Sequence, residues 1–125
     1  MKKVVLKRRI AGRVVNGHPW VFANEIDLMD DAIRPGEVAD VHTHDGVFVG
    51  RGYVNPVSAI PVRILTRNPA EAVDKAFFHR RILGAWQYRQ RLGYTENCRL
   101  VFAEADDMPQ LIIDKFNDYF VIQTL

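Results

Sequence analysis

The sequence predicts a mainly β protein with a smaller α/β part: a compact barrel of short strands, then one long helix leading into a β-meander. Three observations carry this. Short β-branched runs separated by Gly, Pro and Asp turns fill the first 67 residues. The composition then shifts at Asn68-Pro69. Beyond that point one stretch of helical periodicity gives way to three apolar runs split by Asp- and Asn-rich turns. The expected parts are 1–68 and 69–125.

Val4-Val5-Leu6 is the opening strand. Gly17 marks a turn, and Pro19 suits the first turn of a helix, where its missing N–H costs nothing. Trp20, Val21 and Phe22 are therefore expected to open a short helix, with Trp20 in the core and Ile26 one turn past Phe22. Pro35-Gly36 is a turn, Glu37 to His44 alternates like a half-buried strand, and Asp45-Gly46 is a hairpin signal before Val47 to Gly50 runs back. Gly50 and Gly52 flank Arg51 and suggest a bulge or a close backbone approach. Ala59 to Leu65 is a further strand, with Pro61 placing it at an edge or bulge.

In the second part Asp74 can cap a helix running through Leu92, with Gly93 as its stop. Phe78, Ile82, Ala85, Trp86 and Leu92 form one apolar stripe. Arg89 projects from the middle of it, so it must snorkel or find a carboxylate. Strands follow at 99–102, 111–114 and 119–123, with turns at 106–109 and 117–118.

Composition narrows the function classes. With 125 residues, 48% of them hydrophobic, the chain can bury a core without staples. Cys98 is the only cysteine, so no intramolecular disulfide forms. No run approaches the ~18 apolar residues of a membrane span, and Met1 to Arg9 lacks the apolar segment of a signal peptide. Cytoplasm is the expected location.

The net charge of +2 conceals strong segregation. Residues 1–24 hold Lys2, Lys3, Lys7, Arg8, Arg9 and Arg13 and no acid. Residues 25–45 hold seven acids against the single Arg34, and residues 75–99 are again basic. Such a field suits a polyanion, unless the blocks neutralise one another in the fold.

A site for chemistry is hard to find. No Gly-rich phosphate loop is present, and Gly50-Arg51-Gly52 is too short for one. His42 and His44 have a spacing seen in metal sites but flank a hairpin turn, where polar surface residues are ordinary. Cys98 has no histidine near it in sequence, and Glu104, Asp106 and Asp107 read as turn formers. No catalytic residue and no metal are expected. What remains is basic residues interleaved with rings: Lys7, Arg8, Arg9 and Arg13, then His18 and Trp20. Cations neutralise phosphates, and exposed rings stack on bases.

Three blocks resemble a known family: Asn16-Gly17-His18-Pro19-Trp20-Val21-Phe22 with Asn24-Glu25-Ile26; Gly50-Arg51-Gly52-Tyr53-Val54-Asn55-Pro56-Val57-Ser58 with Ile60, Arg63, Leu65 and Thr66; and Arg99 to Asp106 with Met108-Pro109 and Leu111 to Asp114. They are similar to the class I SAM-dependent large-subunit rRNA (cytosine-5)-methyltransferases of the RlmI/YccW type. The resemblance implies an RNA-binding PUA domain over about 1–68 and a central α/β connector over about 69–125. It also implies a Rossmann methyltransferase domain, holding the SAM site and the catalytic cysteine, that lies outside this sequence. The chain then reads as truncated after Thr124-Leu125, inactive by itself, with SAM a cofactor of the parent only. Gln110 departs from the family, which has glycine after the Met/Leu-Pro pair, so a turn that tolerates positive φ would be strained there.

The expected partner is structured rRNA. Lys7, Arg8, Arg9 and Arg13 are expected on phosphates, and His18, Arg51, Asn55 and Arg63 are candidates for groove or base contact. The rival reading is a protein-interaction or homodimerisation module.

Overall fold

The computed structural model describes residues 1–9 and 12–124, and these divide into two compact units, 1–73 and 74–125.

The first unit is one six-stranded sheet, curled into a half-barrel. Its strands are β1 (Lys2–Leu6), β2 (Trp20–Val21), β3 (Ile26–Met29), β4 (Val38–His42), β5 (Phe48–Val54) and β6 (Val62–Thr66), in the spatial order β2-β6-β5-β4-β1-β3. All neighbours are antiparallel except β1 and β4, which run parallel with Val4 opposite Val41. Alternation sets the core: Val4 and Leu6 on β1, Ala39 and Val41 on β4, and Val62 and Ile64 on β6 are buried together with Val14, Val21 and Val54.

Gly50 and Gly52 face Val41 and Ala39 across β4, on that same core side. A Cβ on Gly52 would stand 2.0 Å from the Arg63 carbonyl oxygen, and one on Gly50 would stand 2.6 Å from Ile64 Cγ2. Glycine here lets β5 approach β6, and the register shifts between Arg51 and Gly52, so the expected bulge and close approach are both present. Pro61 is different. It lies buried just before β6, which is an interior strand between β2 and β5, so the edge assignment was wrong. A proline outside the ladder forfeits no sheet hydrogen bond, and its carbonyl accepts from Asn55 N–H.

The helix expected at Trp20 is also corrected. A four-residue helix α1 (Gly12–Val15) precedes Gly17, and Trp20–Val21 is a strand paired with Val62 and Arg63. Pro19 caps nothing; its carbonyl accepts from Ile64 N–H and seeds the β2–β6 pairing. Only Val21 of the local cluster faces the core, while Trp20 is half-buried and Phe22 exposed.

The second unit is α2 (Lys75–Arg91) followed by the meander β7 (Asn97–Phe102), β8 (Leu111–Phe116) and β9 (Tyr119–Thr124). Asp74 caps α2 as expected, its carboxylate accepting from Phe77 N–H, and Gly93 ends it at φ +96°. Ala85, with Phe78, Ile82 and Trp86, packs on Leu100, Val101, Met108 and Ile113. Leu92 of the expected stripe does not: at the helix end it is largely exposed. Arg89 finds its carboxylate, giving Asp106 two hydrogen bonds of 2.5 and 2.7 Å. Gln110 adopts φ +65°, the left-handed backbone that glycine would take without strain.

Candidate nucleic-acid interface

Because β1 and β4 are parallel neighbours, with Val5 opposite His42, they leave the sheet side by side. The turn after β1 therefore meets the hairpin after β4. Together with α1 they enclose an open cleft of about 650 Å³ lined by Lys7, Arg8, Arg9, Gly12, Val15, Asn16, Thr43, His44 and Asp45. Lys7, Arg8 and Arg9 are all exposed. Arg9 takes φ +66°, a left-handed conformation that costs a non-glycine residue about 1 kcal/mol or more and turns the chain here.

Among the described residues, no carboxylate comes within ion-pair distance of these three cations. Arg8 donates from Nε to His44 Nδ1 at 3.0 Å, which leaves the His44 proton on Nε2. The acidic stretch neutralises other cations instead. Lys2 and Arg34 share Glu37, Arg13 pairs with buried Glu25, and Arg51 pairs with Asp40.

The remaining sequence-derived candidates separate into two groups. Arg51 is buried, bonded to both Asp40 oxygens and to the Pro69 and Glu71 carbonyls. Asn55 is exposed, but its side chain closes a turn by accepting from Val57 N–H. Arg13 does not line the cleft; it ties α1 to Glu25, whose carboxylate also accepts from Phe22 N–H at 2.8 Å. Each of these three side chains makes contacts within the fold. His18 and Arg63, by contrast, flank Trp20: the His18 ring stands edge-on to it at 5.6 Å, and the Arg63 guanidinium lies 5.2 Å from its centre.

Two residues were not anticipated, His44 in the cleft and Arg67 behind the segment that borders it. His44 was read with His42 as a metal spacing, yet the two take different neighbours, Arg8 for one and the Phe48 ring for the other. No group of three metal-ligating side chains occurs among the described residues. Arg67 was passed over altogether. Its guanidinium donates to the carbonyls of Val14 at 2.7 Å, His18 at 2.9 Å and Val49 at 3.3 Å, fixing the α1–β2 segment on the sheet. Burial lowers its pKa, and no local sequence signal marked it, because the Val14 and His18 carbonyls lie 53 and 49 positions away in the chain.

A family model described as a PUA-like domain matches residues 4–67. The chain belongs to the PUA-like domain family. That match covers the half-barrel except the first two residues of β1, and every residue that lines the cleft. Over almost its whole length the PUA-like chain is also similar to curated relatives. It is 34% identical over 126 residues to ribosomal RNA large subunit methyltransferase I of Cronobacter sakazakii and 33% identical to that of Escherichia coli. Each alignment takes in 98% of this chain and 32% of the relative, so the chain spans about a third of the relatives' length. Two solved structures share its fold. One, from Streptococcus mutans and described as a SAM-dependent methyltransferase, has TM-score 0.77 and 12% identity; the other, SMU.776 with SAH bound, has TM-score 0.78 and 12% identity. Each covers 98% of this chain, which covers 32% of the solved one.

Of the described helices, α2 is entered through Asp74 and α1 is a single turn, so neither has the form of a Gly-rich dinucleotide-binding helix start. Among the described residues, no helix is long and apolar enough to cross a membrane.

Proposed function

We propose that this chain is the RNA-docking portion of a SAM-dependent rRNA cytosine-5 methyltransferase of the bacterial cytoplasm, holding structured rRNA for a catalytic domain outside these residues. The observation that carries the reading is the cleft, where three exposed cations lack a carboxylate partner among the described residues although the same unit pairs four others. Open cations at a concave surface neutralise phosphates, fixing position and supplying affinity rather than sequence choice. Lys7, Arg8 and Arg9 are the phosphate contacts, with Asn16, Thr43 and His44 available to hydrogen-bond sugar or phosphate oxygens. The similarity to large-subunit rRNA methyltransferases supports rRNA as the polyanion. Any methyl transfer, and any SAM, belongs to the rest of the parent protein.

Salt dependence tests this. Binding of a structured rRNA fragment should weaken linearly in log–log form as salt rises, and Arg8→Ala/Arg9→Ala should flatten the slope by ~1–2 units. An unchanged slope removes these residues from the contact.

A second reading, a protein-interaction or dimerisation module, is favoured by one observation. Tyr119, Phe120, Val121 and Ile122 of β9 are all exposed, at 78, 54, 48 and 63%, on the edge of the meander. Self-association unaffected by RNA would support it.

A further inference from the structure

We propose that the outer face of β2 is a second, base-stacking site that takes unpaired nucleotides of the RNA held in the cleft; the inference rests on the RNA-docking reading. Alternation puts His18, Trp20 and Phe22 on the side of the chain opposite Val21, and only Val21 is in the core. Among the described residues, Ile26 and Met29 pack against that core, whereas Trp20 and Phe22 do not. The three rings form a continuous row: His18 to Trp20 at 5.6 Å and 74°, and Trp20 to Phe22 at 6.4 Å and 89°.

Both ends of the tryptophan–phenylalanine pair carry a guanidinium. Arg63, its cross-strand neighbour, covers Trp20, and Arg13 covers Phe22 at 4.7 Å from the ring centre. Glu25, the carboxylate joined to Arg13, is buried. The outer surface is therefore a row of rings with guanidinium groups laid against two of them, a combination that suits a nucleobase attached to a phosphate.

The row is held in place by the machinery that shapes the cleft. His18 Nδ1 accepts from Trp20 N–H at 3.1 Å, which fixes the imidazole beside the indole. Arg67 grips the carbonyls of Val14 and His18, so one short segment presents Gly12, Val15 and Asn16 to the cleft and His18 to the row. An RNA strand leaving the phosphate contacts meets rings next. Paired bases cannot use them, because their faces are already stacked; bases in loops or bulges can.

The experiment uses the intrinsic fluorescence of Trp20 in a Trp86→Phe background, since these are the two tryptophans. Two labelled RNAs are titrated at one salt concentration: a hairpin with an unpaired loop, and a fully paired duplex of equal length. The expected result is quenching of Trp20 by the hairpin and not by the duplex. Phe22→Ala, at an exposed position, and Trp20→Ala should each bind the hairpin about tenfold more weakly and the duplex unchanged. Salt-sensitive binding of both RNAs, without quenching or loss in either variant, overturns the stacking site and leaves the cleft reading standing. Absence of salt-sensitive binding overturns both. Quenching by a proline-rich peptide, with none by the hairpin, assigns the row to a protein partner and overturns the inference.

Discussion

Arg51, in the middle of β5, gives two bonds to Asp40 and two to backbone carbonyls, while Arg8, two residues past β1, has among the described residues only a histidine nitrogen as partner. Both are arginines of one half-barrel, and both were candidates for RNA contact. The difference lies in what faces them. Asp40 sits directly across the ladder from Arg51, so the pair forms wherever β4 and β5 do. Lys7, Arg8 and Arg9 lie where two parallel strands end, and the hairpin that meets them offers hydroxyl, imidazole and one carboxylate that pairs with none of them. Arg89 in the second unit repeats the Arg51 pattern with Asp106. Charge in the sequence marks candidates, and the partner across the fold decides which remain open.

Removing the partner should expose this contrast most strongly. Asp106→Ala leaves Arg89 charged in a site where its side chain is only 14% exposed, and Asp40→Ala does the same to Arg51 at 10%. Each should lower unfolding free energy in urea by about 3 kcal/mol, because the surviving ion loses its counterion and not merely one bond. RNA affinity should hold wherever the variants stay folded. Replacing both members of the second pair, as Arg89→Met/Asp106→Leu, should recover most of the loss. A loss as large as that of Asp106→Ala would show that the bonds themselves, rather than the stranded charge, set the cost.

The same distinction governs what could be read from the sequence. The ends of α2, the meander turns, the Gly50–Gly52 bulge and a carboxylate for Arg89 were legible because local signals and one buried charge dictate them. The β2 strand was not. It has two residues, and it exists because Ile64 N–H reaches the Pro19 carbonyl and β6 lies alongside, a contact made 45 positions away in the chain. A Pro-Trp-Val-Phe run read locally suggests a helix, and with it a buried tryptophan. The strand β3 was missed as well, lying in an acidic stretch with Leu28 exposed. The cleft was half legible: its cations stood out, but His44 arrives through the parallel β1–β4 pairing, which no local pattern announces.

Acid should separate the closed pairs from one another by a smaller amount. Burial alone would raise the Asp106 pKa, but hydrogen bonds from Arg89 and from Phe102 N–H outweigh it and leave the carboxyl lowered. Glu37 is held down at about 2, from an ordinary 4.5, by hydrogen bonds from Lys2 and Arg34. A lowered folded value means stability that is complete above the ordinary carboxylate range and lost as pH falls through the lowered one. The thermal midpoint should therefore stay level down to about pH 5 and fall below it, with Glu37 contributing between 4.5 and about 2. Asp106→Asn should flatten this acid limb more than Glu37→Gln, since Glu37 is less buried than Asp106 and its partners Lys2 and Arg34 reach solvent, where the pairs are screened. Equal flattening would mean that the buried pair has no advantage over the exposed one.

The smallest stability effect is expected where the functional effect is large. Lys7, Arg8 and Arg9 are consecutive like charges with no acid to satisfy them, so they repel one another in the folded state and contribute little to holding it. Arg8→Ala/Arg9→Ala should leave unfolding free energy within about 0.5 kcal/mol of the parent chain. The Arg8–His44 bond that is lost lies at the surface, where water replaces it, and the repulsion relieved acts in the opposite sense. A loss of 2 kcal/mol or more would place the two arginines in the fold alongside Arg51. The cleft would then have no reason to be left open, because the cations would be structural and the missing carboxylates a cost without a ligand to offset it.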